Sequence, residues 1–103
     1  MEGQVEIHYM GIGFETYLPI TPENIDETHT RYGAVEGSDP RFQEVMRLID
    51  GAGSGSFYKS TTRARIRDTS GTTIYLDNYG GIQRSFREVS LNETNLNRVA
   101  DLL

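Results

Sequence analysis

The chain has no cysteine. That removes disulfides, thiolate nucleophiles and the usual structural zinc sites, and with them the small secreted scaffold that depends on covalent staples; a reducing compartment fits best. No run approaches the ~20 apolar residues that a membrane span requires. The N-terminal MEGQVEIHYM lacks the basic region and apolar stretch of a signal peptide. The expectation is a cytoplasmic protein with no membrane association. Basic residues are also scarce: ten, of which only Lys59 is a lysine, against fifteen acids, for a net charge of −5. An acidic surface repels phosphate backbones and attracts basic partners, so a basic protein is the expected ligand and nucleic acid is not.

Signatures of chemistry are missing as well. No serine sits in Gly-x-Ser-x-Gly, and neither a His-x-x-x-His pair nor an EF-hand spacing offers a metal site. The Gly-Ala-Gly-Ser-Gly-Ser run at 51–56 lacks the Gly-Lys-Ser/Thr ending that puts a lysine on phosphates, and is expected as a connector. His8 and His29 are the only side chains suited to proton transfer near neutrality. His8 alternates with apolar residues on a strand and His29 lies in an acidic stretch, so neither reads as catalytic. The expected inventory is no catalytic residue, no metal and no cofactor.

What is present is enough apolar periodicity, within 103 residues, for one domain over 1–103. Val5, Ile7 and Tyr9 alternate with Glu6 and His8, predicting a strand at about 4–10, and Phe14 to Ile20 predicts a second extended segment. Thr21 and Pro22 start a short helix over about 22–30, with Ile20 and Ile25 spaced as a hydrophobic staple. Residues 31–39 have no clear period and are expected as a loop. Ser38-Asp39-Pro40 then opens a helix whose face is Phe42, Val45, Met46 and Ile49, ended by Gly51.

Residues 57–68, 72–78 and 82–89 predict a three-stranded C-terminal meander with turns at Asp68-Thr69-Ser70-Gly71 and Asn78-Tyr79-Gly80-Gly81. Asn92, or Ser90 with Glu93, caps a final helix with the apolar stripe Leu96, Val99, Ala100 and Leu103. These elements do not alternate as βαβ units. The expected class is α+β, a mainly antiparallel sheet of about five strands with helices packed on one face.

The acidity is uneven: residues 1–50 carry ten acids against three arginines, a net −7, and residues 51–103 carry +2. Glu23, Asp26 and Glu27 share one face of the expected helix, and Glu36 and Asp39 follow in the expected loop. Six tyrosines supply the rigid, amphipathic contact area favoured in binding sites, with Tyr32 and Tyr79 expected exposed in a loop and a turn. Arg63, Arg65 and Arg67 alternate along one strand and support a different reading, a small enzyme or ligand-binding domain for an anionic substrate. An exposed sheet edge leaves room for an adaptor role or a homo-oligomer.

The segment Thr72-Thr73-Ile74-Tyr75-Leu76-Asp77-Asn78-Tyr79-Gly80-Gly81-Ile82-Gln83-Arg84, with Leu91-Asn92-Glu93 and the leucine-rich closing helix, resembles the ending of many small bacterial immunity proteins. These are cytoplasmic proteins that neutralise toxin domains delivered by contact-dependent growth inhibition, type VI secretion or related systems. The resemblance covers about the last third of the chain and carries no functional residue across. It implies a cognate toxin domain as partner, many of which are basic nucleases. With that partner, the charge and exposure read above lead to an expected mechanism of occlusion, in which Glu23, Asp26, Glu27, Glu36 and Asp39 cover a basic groove and Tyr32 and Tyr79 act as anchors.

Overall fold

The alternation at the N-terminus builds β1 (Gln4–Tyr9), which lies between β2 (Arg31–Glu36) and β4 (Thr62–Arg67), antiparallel to both. The computed structural model describes residues 4–12, 19–25, 31–85 and 87–103. Within them the chain is α+β: a seven-stranded antiparallel sheet and two helices. The remaining strands are β3 (Gly53–Ser54), β5 (Thr73–Asp77), β6 (Gly81–Arg84) and β7 (Arg87–Ser90), and the order across the sheet is β2-β1-β4-β5-β6-β7-β3.

Helix α1 (Pro40–Asp50) starts where Asp39 caps it, its carboxylate accepting from the Arg41 amide at 2.8 Å, with Pro40 in the first turn. It buries Phe42, Val45, Leu48 and Ile49, each contributing on the order of 1.5–3 kcal/mol when fully covered. Helix α2 (Glu93–Leu102) is capped by Asn92, which accepts from the Asn95 amide at 2.8 Å, and buries Val99. Both helices join one cluster with Val5, Ala64, Ile66, Ile74, Leu76 and Ile82. The strand registers place those sheet residues on a common face, so the helices cover one side of the sheet. Among the described residues no helix is long and apolar enough to cross a membrane.

Several expectations are corrected. The sheet has seven strands, where about five were expected. Residues 31–36, expected as loop, form β2; it is an edge strand with Gly33, Ala34 and Glu36 exposed and Val35 packed against the core, too little to impose a clear period on its sequence. The 51–56 connector contains β3, which adds to β7 at the other edge. The expected single strand 82–89 folds back on itself as β6 and β7, with Ile82 opposite Val89 and Arg84 opposite Arg87. The reversal passes through Ser85 at φ 57°, a conformation costing about 1–3 kcal/mol in a non-glycine residue, which the β6·β7 ladder offsets.

The segment expected to open the meander, 57–61, is a hydrogen-bonded loop and β4 begins only at Thr62. Residues 14–18 of the second extended segment and 26–30 of the expected first helix lie outside the described residues. Ile20 makes an isolated bridge with Thr61, and one helical hydrogen bond, Ile25 amide to Thr21 carbonyl, is formed at the expected helix start.

Candidate functional site

Asp77 ends β5 and is fully buried, although it is a short charged side chain at a strand terminus. Both of its oxygens are engaged by backbone donors. Oδ1 accepts from the amides of Tyr79 and Gly81, both at 2.7 Å, and Oδ2 accepts from the amide of Tyr58 at 2.8 Å. One side chain therefore ties the 78–81 turn to the 57–62 loop. Charge-assisted bonds of this kind are about twice as strong as neutral ones.

The local sequence cooperates at both anchor points. Gly80 adopts φ +96° and its carbonyl accepts from Leu91. Gly81 has room for no side chain, since a Cβ there would stand 2.2 Å from the Ser56 carbonyl oxygen and 2.3 Å from Asp77 Oδ2. In the loop, the Tyr58 carbonyl accepts from both the amide and the hydroxyl of Thr61, and the Thr62 hydroxyl donates to the Lys59 carbonyl at 2.6 Å.

The result is a fixed pair of aromatic rings on the surface. Tyr58 and Tyr79 meet edge to face, with centroids 6.2 Å apart and planes at 89°, and are 57% and 59% exposed. They are the exposed large hydrophobic residues of the described chain. Beside them Phe57 packs against Tyr75 at 6.3 Å, and its amide donates to Glu88.

Glu23 lies close by. Its own backbone amide and the Thr21 hydroxyl hold its carboxyl below the ordinary carboxylate value, with a further pull from Lys59, the neighbour of Tyr58. Of the seven sequence-predicted contact residues, Glu23 and Tyr79 thus stand at the same end of the sheet. Glu36 and Asp39 stand at the other: Glu36 faces Gln4 at the start of β1, whereas Arg31, roughly 17 Å along β2, faces Tyr9. Asp39 also serves as the α1 cap. Tyr32 belongs to β2, opposite His8, and not to a loop. Asp26, Glu27 and His29 lie outside the described residues.

The arginine row is divided. Arg65 and Arg67 face His8 and Glu6 across the ladder, Arg65 reaching the His8 ring at 3.3 Å and Arg67 lying 3.8 Å from Glu6. Arg63 sits at a register break in β4, is 2% exposed, and donates to the Thr62 carbonyl. Among the described residues no group of three or more His, Asp or Glu is arranged to hold a metal ion.

Tyr58 and Asp77 were not singled out by sequence reasoning. Both lay inside segments read as strand, Tyr58 in 57–68 and Asp77 in 72–78. Ser56 and Lys59 have the Ser-x-x-Lys spacing of one nucleophile pattern, which sequence reasoning wrongly took to be absent. Both are exposed and lie in a loop, without the helical turn that brings the two side chains of that pattern together.

Comparison with protein-family models, with curated proteins and with solved structures found no match.

Proposed function

We propose that the chain is a protein-binding inhibitor of the immunity type, which neutralises a cognate toxin domain in the cytoplasm by covering its active-site region. The observation that carries this reading is the Tyr58 and Tyr79 pair, exposed but held on two turns by the buried Asp77. Rigid exposed tyrosines bring large contact area at low entropic cost, which is the chemistry of binding hot spots. The net charge of −5 favours a basic partner and speeds encounter with it. The anchors of the proposed interface are therefore Tyr58 and Tyr79, with Glu23 as the adjacent acid; Glu36 and Asp39 contribute long-range attraction only.

The test is growth of a susceptible bacterium producing the toxin domain encoded beside this chain, with and without the chain. Growth restored by the chain supports the proposal. Growth arrest that the chain leaves unchanged contradicts it.

A further inference from the structure

At the opposite end of β6 and β7 from Tyr79, the strands carry two arginines directly across from each other, Arg84 and Arg87. Like charges in facing positions destabilise an antiparallel pair. Arg84 is bonded to Asp50 at the end of α1, at 2.5 Å, whereas Arg87 has no ion pair among the described residues and is exposed. One positive charge therefore stands in excess there, on a chain of net charge −5. These three charged residues rim a cleft of about 140 Å³ whose other walls are Ile49, Ala52 and Val89.

The apolar walls and the arginine rim select for a ligand that has both characters within a short distance. A phosphate or a bare inorganic anion would leave Ile49, Ala52 and Val89 unused. A carboxylate on a carbon that also bears an apolar side chain satisfies both, with the guanidinium forks donating to the carboxylate oxygens and the side chain covering the walls. The smallest macromolecular group with this composition is the C-terminus of a polypeptide, whose last residue offers the carboxylate and an aliphatic side chain together.

We propose that the cleft between α1 and the β6·β7 hairpin binds the C-terminal carboxylate of a polypeptide ending in an aliphatic residue, through Arg84 and Arg87. The site is separate from Tyr58 and Tyr79, so it can fail without affecting the inhibitor reading, and the reverse holds.

The test is titration of the isotope-labelled full chain with N-acetyl-leucine, with N-acetyl-leucinamide, and with a short peptide ending in leucine, read by NMR at the amides of Ala52, Arg84, Arg87 and Val89. The expected result is saturable shifts with the acid, at least about tenfold weaker binding of the amide, and a similar loss in Arg87→Gln with a melting temperature no lower than that of wild type. The peptide is expected to bind more tightly than N-acetyl-leucine. Equal shifts with acid and amide, wild-type affinity in Arg87→Gln, or no shifts at these residues would overturn the proposal. Equal affinity of peptide and N-acetyl-leucine would overturn the polypeptide as the source and leave a small carboxylic acid.

Discussion

Tyr58 and Tyr79 meet at 6.2 Å through their rings and are joined underneath by Asp77, which accepts a hydrogen bond from the backbone amide of each. The two residues are 21 positions apart in sequence and on separate loops. Their fixed relation depends on one buried carboxylate.

Neither ring is part of the core, so Tyr58→Ala and Tyr79→Ala are expected to change stability by no more than about 0.5–1 kcal/mol. The pair contact itself accounts for most of that. Urea denaturation of both single variants checks it, and a loss of several kcal/mol in either would mean that the ring supports the fold.

Asp77→Ala leaves three amides without their acceptor, with an expected loss of about 3–5 kcal/mol. Asp77→Asn is more selective. Its single amide oxygen can keep Tyr79 and Gly81, but its NH2 then opposes the Tyr58 amide. Hydrogen exchange is expected to accelerate at Tyr58 in the Asn variant while Gly81 stays protected; equal exchange at both positions would contradict the division of roles between the two oxygens.

Gly81→Ala drives a Cβ against the Ser56 carbonyl and the Asp77 carboxylate, and Gly33→Ala, on edge strand β2, meets nothing within 4 Å. The first substitution is expected to lose more than about 2 kcal/mol. The second is expected to be neutral or to stabilise by up to about 1 kcal/mol. Thermal melts of the two variants side by side provide the comparison.

Glu44 bonds Arg47 one turn along α1 at 2.5 Å and reaches across to Arg98 on α2 at 3.9 Å. The Arg47 hydrogen bond holds the Glu44 carboxyl below its ordinary value of 4.5. Because the folded value is the lower one, the stabilisation is complete above about 4.5 and disappears as pH falls through the depressed value. Glu44→Gln is therefore expected to be less stable than wild type at neutral pH and equal to it in strong acid. A difference that persists in strong acid would assign the effect to packing.

Elements with one buried face were legible in the sequence. The apolar period of Phe42, Val45 and Ile49, the caps Asp39 and Asn92, and the alternation of Val5 and Ile7 each carry a local chemical cause. β2 and β3 were not legible, because an edge strand is set by the neighbour it pairs with and not by its own pattern. The Ser85 reversal was hidden for a related reason: no glycine, proline, asparagine or aspartate stands between Arg84 and Arg87, and Ile82 and Val89 read as one strand. Of the candidate site, Tyr79 and Glu23 were picked out in the sequence by expected exposure and by charge. Asp77 and Tyr58 were missed because their role arises from a contact across 19 residues.

The central claim is that Tyr58 and Tyr79 anchor a basic protein toxin. Its most direct test is the dissociation constant of the purified toxin domain for wild type, for the Tyr58→Ala/Tyr79→Ala double variant and for Glu23→Lys. The account predicts a loss of at least about 30-fold in the double variant, a smaller loss in Glu23→Lys, and weaker wild-type binding as salt is raised. Wild-type affinity in the double variant would contradict it.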